Sequence, residues 1–215
     1  MNDFFLELVG ASDEARRGFE NHPNALNAVA HGLPPQRYRH LLLELYHLVA
    51  NFNPICAAAA SRIADDLRQV RYFLYEHMQE EAGHEEWVLR DLQDLGVDAL
   101  ASLAHEPSPY TLAFCGYNYW AADRRHPGSV LGMMYVLEVL ASVYGGSLAS
   151  AVKDALLLEG NTGTSFLSSH ATLDIEHMAK LRRLLNSVDD RAAQAAIIES
   201  TLTNFKLITR IFSEV

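Results

Sequence analysis

Apolar residues recur along this chain at spacings of three and four, and alternating apolar and polar runs bounded by hairpin turns are not found. This spacing is typical of helices that bury one face, so the sequence predicts an all-α protein. Helix-breaking residues divide it into about seven or eight helices, with the two segments that meet at Pro54 counted as one where the proline only kinks the helix. The predicted helical segments are residues 3–20, 24–30, 35–52, 54–65, 67–95, 110–125, 129–158, 165–186 and 190–214.

Two boundaries in this division depend on single residues. Pro54 follows Asn53 and should break or kink the helix there, because proline lacks a backbone N–H and restricts the residue before it. Gly96 should end the long segment 67–95 as a C-terminal cap. Since no linker is long enough to separate domains, we expect residues 1–215 to form one domain.

The segment from Val130 to Val152 is about as long as a helix that spans a bilayer. Glu138 lies in its middle, however, and Gly145-Gly146 interrupts it, so a central buried helix is favoured and no membrane partner is expected. Paired glycines cost helix stability, which indicates a kink or the close approach of a ligand, with plain helix packing as the alternative.

Composition and charge exclude several classes of protein. The 215 residues are 49% hydrophobic and 20% charged, which suffices for one core and excludes a disordered chain. A net charge of −10 disfavours nucleic acid as a partner. Cys56 and Cys115 lie far apart without a zinc or redox spacing, and the first residues do not read as a secretory signal, so we expect a cytoplasmic protein.

One motif occurs three times: a histidine, three residues, an acid, two residues and a histidine. From the composition, roughly 0.06 occurrences are expected by chance. Steps of three, four and seven residues return to the same face of a helix, so each occurrence predicts a polar stripe. The three occurrences are His40-Glu44-His47, His77-Glu81-His84 and His170-Asp174-His177.

Neighbouring members of such a stripe can share a metal ion, whereas its outer histidines lie about 10 Å apart along the helix axis and cannot. We therefore expect chelating pairs such as the Glu-x-x-His pairs of di-iron bundles. In this chain the pairs are Glu81 with His84 and Asp174 with His177. His77 and His170 would then reach toward a second ion or the substrate.

Glu138 is the one charged residue between Arg125 and Lys153. A buried carboxylate without a partner is costly, and a metal ion or a group of histidines would compensate it. Imidazole and carboxylate donors together suit iron, manganese, zinc or cobalt better than magnesium or calcium. The sequence therefore predicts Glu138 as a further metal ligand.

These motifs and their order resemble those of the heme-oxygenase-like iron oxidases, a family described broadly as iron-containing redox enzymes. The resemblance covers about Pro35 to Asn186 and rests on His77–Trp87, Asp91–Gly96, Met134–Glu138 and Phe166–His177. It implies a heme-oxygenase-like bundle whose di-iron centre activates O₂ and oxidises a small organic molecule, such as a fatty acid or an amino acid. The metal ligands that it implies here are His84, Glu138, His170, Asp174 and His177, with Glu81 next.

The chain departs from that family at two positions. Several members have a carboxylate where this chain has His77 or His47, and fewer carboxylates compensate the charge of two iron ions less well. One or two Fe(II) ions, manganese or another divalent metal therefore remain open as cofactors. Glu44, Glu80 or Glu81 could supply the missing carboxylate. His47 is either a site residue or a core histidine hydrogen-bonded to a backbone carbonyl.

Two other functions remain open from the sequence. A metal-free ligand-binding protein, or a cofactorless enzyme similar to TenA and PqqC, would use the same polar cluster as a hydrogen-bond network. A heme-binding protein would use one histidine as its axial ligand. For the oxidase we expect O₂ and a small-molecule substrate as partners. Such bundles often form homodimers, but no sequence pattern decides between a monomer and a homodimer here.

Overall fold

The computed structural model describes residues 3–214 and, within that range, every side chain except those of residues 99 and 100. Helices account for most of this range and no strand occurs in it, which confirms the all-α prediction. The α-helices are Phe4–Glu20 (α1), Pro23–His31 (α2), Pro35–Ala60 (α3), Arg68–Glu80 (α4), His84–Asp94 (α5), Ala99–Leu103 (α6), Pro109–Trp120 (α7), Val130–Leu140 (α8), Gly146–Leu156 (α9), Ser165–Asn186 (α10) and Arg191–Glu214 (α11).

Two π-helical segments extend these helices. Ala121–Arg125 follows α7, and Ala141–Gly145 joins α8 to α9, so that residues 130–156 form one continuous helical run as the sequence predicts. A π-helical turn places one extra residue in the helix and is frequent at functional sites. The second segment begins three residues after Glu138, and thus lies next to a predicted metal ligand.

Of the two alternatives predicted at Asn53-Pro54, the break is wrong, because α3 continues through Pro54 to Ala60, and the kink stays a prediction. Proline removes one hydrogen bond from the helix interior. The residues around it are well held, since Phe52 and Ile55 are buried and the Asn53 side chain donates to the Met78 carbonyl at 3.0 Å. Tertiary packing on both sides of Pro54 therefore outweighs the local cost.

The prediction of one helix over residues 67–95 is also wrong. The chain leaves the helix after Glu80 and turns at Gly83, which has φ +91, a conformation that glycine adopts without the strain of a Cβ atom. A new helix, α5, starts at His84 and ends at Asp94, just before Gly96 with φ +78. His77, Glu81 and His84 therefore do not form the continuous helical stripe that their spacing predicts.

The apolar core has two parts, and α3 contributes to both. The larger part is formed mainly by α1, α3, α4, α7, α8 and α11, and the smaller by α2, α3, α5, α9 and the start of α10. Except for His47, the histidines and acids predicted as ligands lie where α4, α5, α8 and α10 meet. The site is therefore enclosed by helices from distant parts of the chain.

Two helical runs, Pro35–Ala60 and Pro127–Leu156, are long and apolar enough to cross a membrane by length and composition alone. In the folded chain, 67% of the most apolar window of the second run is buried inside the protein, as expected for a core helix. Such helices are common in proteins that do not span membranes, so the absence of a membrane partner stays a prediction.

Candidate metal centre

Four helices and one turn direct seven polar side chains to one enclosed region, which we call the candidate centre. The end of α4 and the turn after it supply an imidazole and a carboxylate, α5 supplies one imidazole, α8 one carboxylate, and α10 three side chains. Glu81 is partly exposed and the other six are buried. The seven residues are His77, Glu81, His84, Glu138, His170, Asp174 and His177.

The first donor group consists of His77, Glu138 and His177, and we call it the Glu138 group. Its ligand atoms all lie within 4.8 Å of one another. Glu138 Oε1 is 3.3 Å from His77 Nε2 and 3.4 Å from His177 Nδ1. Asp174 Oδ1 is also 3.4 Å from His177 Nδ1, so two carboxylates converge on one imidazole nitrogen.

The second donor group, which we call the His84 group, consists of Glu81, His84 and His170. His84 Nδ1 lies 2.7 Å from Glu81 Oε2 and 3.2 Å from His170 Nε2. Glu81 and His84 therefore meet as the sequence predicts. They do so across a turn rather than along one helix, because Gly83 separates α4 from α5.

Glu81 connects the two donor groups. Its Oε2 atom belongs to the His84 group, whereas its Oε1 atom lies 3.5 Å from His177 Nδ1 and 3.9 Å from His77 Nε2 in the Glu138 group. A carboxylate with one oxygen in each group has the arrangement of a bridging ligand between two metal ions. Of Glu44, Glu80 and Glu81, which the sequence left open, Glu81 is the one with a carboxylate oxygen in each donor group.

The donor atoms of the candidate centre fit a metal ion. Atoms that bind one ion at about 2.1 Å lie roughly 3.0 to 3.5 Å apart, because coordination angles fix that separation. The distances above mostly fall in this range. Several of these atoms are buried without any hydrogen-bond partner, which is costly in a protein interior without a cation to bind them. They are His77 Nδ1, His77 Nε2, Glu138 Oε2, Asp174 Oδ1 and His177 Nδ1.

One histidine has an outer hydrogen bond that fixes how it faces the centre, and a second has a carboxylate beside its outer nitrogen. The His170 Nδ1–H donates to the Phe166 carbonyl at 3.0 Å, which leaves Nε2 as the lone-pair atom directed at the His84 group. His177 Nε2 lies 3.4 Å from a Glu80 carboxylate oxygen, and Glu80 in turn accepts from Lys180 at 2.6 Å. Metal-binding histidines usually have such a partner on the second ring nitrogen, which orients the ring.

The electrostatics of the centre favour a bound cation. Burial lowers the pKa of His177, but the Asp174 and Glu138 carboxylates beside it raise the value to about 10. Burial raises the pKa of Asp174 to about 6, with His177 opposing the shift. Burial also raises the pKa of Glu81, yet the two imidazoles of its group lower it well below the usual carboxyl range. Several buried carboxylates create a negative potential that a proton or a metal ion can neutralise.

A cavity of about 150 Å³ adjoins the candidate centre. Its wall is mostly aliphatic and aromatic, with side chains that include Leu45, Phe52 and Phe212. The acids and imidazole in the wall are four members of the centre, namely Glu81, Glu138, His170 and Asp174. An apolar pocket with a few convergent polar groups is the usual form of a small-molecule site.

The paired glycines pack against α10. A Cβ atom at Gly145 would lie 3.3 Å from the Leu167 carbonyl oxygen, and one at Gly146 would lie 3.5 Å from the Ala171 side chain. Helix packing, the alternative reading of these glycines, therefore accounts for both. Gly145 also lines the cavity, so the same residue contacts α10 and forms part of the cavity wall.

Asp91 is not among the predicted ligands, but it holds the helix that carries three of them. It is fully buried on α5 and accepts from the Ser165 N–H at 2.8 Å, the Ser165 hydroxyl at 2.7 Å and the Phe166 N–H at 2.9 Å. These contacts hold the first turn of α10, the helix that carries three candidate ligands. The signal in the sequence is an acid on the same face as Val88 and Leu92, which are both buried.

His47 lies outside both donor groups. Its Nε2 atom is 2.9 Å from the His105 carbonyl oxygen, which matches the alternative of a core histidine bonded to the backbone. Glu44 lies 3.1 Å from the His105 side chain and binds the Ser108 N–H, so it does not supply a carboxylate to the centre either. The first motif, residues 40–47, thus belongs to another part of the molecule.

Residues 39–207 match a protein family described as "Iron-containing redox enzyme". The chain belongs to the iron-containing redox enzyme family. This confirms the resemblance drawn from the motifs, and the match includes all seven residues of the candidate centre. No curated protein matches the sequence significantly.

Solved structures share the fold of this family member at low sequence identity. A domain of unknown function with a heme oxygenase-like fold from Shewanella denitrificans OS217 has a TM-score of 0.87 and 21% identity, and the match covers 100% of this chain and 92% of that one. Heme oxygenase from Leptospira interrogans has a TM-score of 0.80 and 19% identity, over 100% of both chains. A TenA homolog from Pseudomonas syringae pv. tomato DC3000 has a TM-score of 0.81 and 14% identity, over 98% and 91%. The predicted heme-oxygenase-like fold is therefore confirmed. Because these neighbours have different descriptions, the shared fold does not identify the reaction.

Proposed function

We propose that this protein is a non-heme iron oxidase or oxygenase that uses O₂ to oxidise a small, largely apolar organic molecule. The candidate centre would hold Fe(II). It would hold two ions if both donor groups are filled, and one ion if a single group is filled. The observation that carries this proposal is the pair of donor groups joined by Glu81, with buried donor atoms that have no other partner.

The donor set supports iron over harder ions. Each group combines two imidazoles with one carboxylate, a combination that suits Fe(II), manganese, zinc or cobalt. The chemistry that iron supplies when bound is the reductive activation of O₂. Manganese or another divalent ion in the same ligands is the alternative, and the family description favours iron.

The chain's own residues would prepare the centre for this chemistry. Phe166 and Glu80 orient His170 and His177, so that one nitrogen of each ring faces the donor groups. Burial of the carboxylates keeps bulk water from competing for the donor atoms. Asp174 and His170 lie in the cavity wall, where they would contact the substrate directly.

The cavity supports an apolar substrate. No lysine or arginine is among the residues described as lining it, so a charged group far from the centre would be buried without a partner. A substrate with one polar end would direct that end to the candidate centre and place its hydrocarbon part against residues such as Leu48 and Phe212. We therefore expect binding to strengthen with the apolar area of the substrate.

The experiment that tests the proposal is anaerobic loading with Fe(II), followed by measurement of iron per chain and of O₂ uptake. We expect between one and two iron ions per chain, and O₂ uptake that depends on the iron. His177→Ala and Glu138→Ala should each abolish most of the binding. His31→Ala is the matched control, because His31 is an exposed histidine on α2.

A stoichiometry below a tenth of an ion, unchanged in the His177 and Glu138 variants, would remove the iron hypothesis. An organic ligand that copurifies with metal-free protein would then favour the metal-free binding protein, which the same apolar cavity supports. Hemin is added to a separate sample, since one structural neighbour is a heme oxygenase. A Soret band that is lost on replacement of one histidine would favour the heme-binding alternative.

A further inference from the structure

A second group of histidines and a carboxylate lies outside the candidate centre, and we call it the outer cluster. It consists of His40 and Glu44, one turn apart on α3, and His105, which precedes α7. Their possible ligand atoms all lie within 4.8 Å of one another. None of the three belongs to either donor group of the candidate centre, so the outer cluster stands independently of the proposed oxidase function.

Glu44 is the fixed member of the outer cluster. Its side chain is 1% exposed, and the Ser108 N–H donates to its two oxygens at 3.2 and 3.1 Å. Burial raises its pKa, but hydrogen bonds from Thr111, His105 and Ser108 outweigh burial and lower it overall. Glu44 is therefore a carboxylate held in place by the backbone before α7. Its Oε1 atom remains in contact with His105 Nε2, at 3.1 Å.

The two histidines are accessible, unlike those of the candidate centre. The His105 side chain is 24% exposed, and His40 is half-buried. Their rings meet edge to face with centroids 5.9 Å apart. An ion that arrives from solvent can thus reach the two imidazoles, meet Glu44 Oε1 beside His105 Nε2, and keep water molecules on its open side.

His47 holds the backbone of this region. Its Nε2 atom lies 2.9 Å from the His105 carbonyl oxygen, and the centroids of the two rings are 5.8 Å apart. Because this nitrogen already has a backbone partner, His47 is a support for His105 rather than a further donor. The segment that carries His105 is therefore tied to α3 at two points, through Glu44 and through His47.

We propose that the outer cluster binds one divalent transition-metal ion of the zinc class through His40, Glu44 and His105. Two imidazoles and one carboxylate, with water in the remaining position, form an established three-ligand zinc set. The ion takes the place of the proton between His105 Nε2 and Glu44 Oε1. Bound there, it links α3 to the segment that precedes α7 and stabilises the folded chain by mass action.

The test is a titration of metal-free protein with Zn²⁺, followed by calorimetry and by elemental analysis after gel filtration. Because Zn²⁺ can also enter either donor group of the candidate centre, the titration is run on the wild type and on a double variant, His84→Ala with His177→Ala, which removes one ligand from each group. We expect one ion to remain in the double variant, and to be lost when His40→Gln or His105→Gln is added. Each of these two additions should weaken binding of that ion by more than about 100-fold, beyond the usual cost of losing a supporting residue.

His31→Gln and His47→Gln are the controls. The first changes an exposed histidine elsewhere and should leave the ion bound, and the second should weaken binding by only about 10-fold because it removes a support. Circular dichroism checks that each variant is folded, which is expected for the partly exposed His40 and His105. Co²⁺ provides a second readout, since its visible spectrum reports nitrogen and oxygen ligands in a site of low coordination number.

Equal zinc content in the double variant with and without His105→Gln would overturn the proposal. So would a double variant that holds no zinc at micromolar free metal. Failure here is distinct from failure of the oxidase proposal, because that proposal is measured by iron content and O₂ uptake in the His177 and Glu138 variants.

Discussion

In the candidate centre, four helices and the turn after α4 bring four imidazoles and three carboxylates together, and several of their buried atoms have no hydrogen-bond partner. In the outer cluster, the one carboxylate already binds backbone and side-chain donors, and the imidazoles reach solvent. The candidate centre contains two copies of the histidine and acid motif, and the outer cluster contains His40 and Glu44 of the third copy. The difference teaches that the spacing creates a polar stripe, whereas the partners around the stripe decide how strongly it needs a cation.

The largest expected difference between the two regions is the stabilisation by metal. Anaerobic Fe(II) at about 1,000 times its dissociation constant should stabilise the wild type by about 4 kcal/mol, since binding to the folded state alone contributes RT ln(1 + [L]/Kd). The shift in melting temperature should disappear in Glu138→Ala and persist in His105→Gln. Differential scanning fluorimetry in an anaerobic cell measures it. Equal shifts in the two variants would show that iron binds elsewhere.

The two buried glutamates should respond oppositely to loss of charge in metal-free protein. Glu138→Gln removes one of the two carboxylates beside His177 and leaves Asp174 as the partner of that imidazole, so the free energy of unfolding should be unchanged or rise by about 1–2 kcal/mol. Glu44→Gln removes the charged acceptor of the Ser108 N–H and should lower the free energy of unfolding by about 1–3 kcal/mol. Urea unfolding with a chelator measures both values. A loss of stability in Glu138→Gln comparable to that in Glu44→Gln would contradict the distinction.

Replacement of Asp91 should affect the candidate centre and leave the outer cluster unchanged. Asp91→Ala removes three hydrogen bonds at the start of α10 and should cost about 1–2 kcal/mol of unfolding free energy, as loss of a helix N-terminal cap does. Iron affinity should fall as well, because α10 carries three candidate ligands, while zinc binding by the outer cluster should not change. Asp94→Ala is the matched control, since Asp94 is exposed and accepts one backbone N–H from Gly163. Equal effects of the two changes would refute a special role for Asp91.

The smallest expected effect concerns Glu80. Glu80→Gln weakens the contact with His177 Nε2 and with Lys180, so iron affinity should fall about 10-fold, as for other supporting residues around metal ligands. Glu76→Gln is the control, because Glu76 is an exposed acid that also lies near Lys180. Competition with a colour-forming iron chelator measures the affinity. An unchanged affinity in Glu80→Gln would mean that His177 is oriented without it.

Much of the fold could be predicted from local sequence signals. The helical spacing of apolar residues and the helix-breaking residues predicted an all-α chain. The apolar stretch around Glu138 predicted the continuous helical run from α8 to α9. The errors at Pro54 and at Gly83 have a common cause. Each depends on whether packing from distant helices favours the local conformation, and a single sequence contains no direct measure of that packing.

The candidate centre was predictable in its members but less so in its arrangement. His84, Glu138, His170, Asp174 and His177 come together as expected, because the motif on α10 and the lone acid on α8 are strong local signals. His47 does not join them, although its motif has the same spacing. Its Nε2 atom is hydrogen-bonded to the backbone carbonyl of His105, a residue more than fifty positions away in sequence.

The order of residues alone determined that helices would form, which faces would be apolar and which side chains were able to bind a metal, since these properties depend on neighbours within a few turns. Only the tertiary structure decided that Glu81 would lie between two donor groups, that Asp91 would hold α10, and that the first motif would form a separate cluster. The physical reason is that hydrogen-bond partners, burial and charge compensation are set by contacts between helices, which the spacing of residues along one helix does not specify.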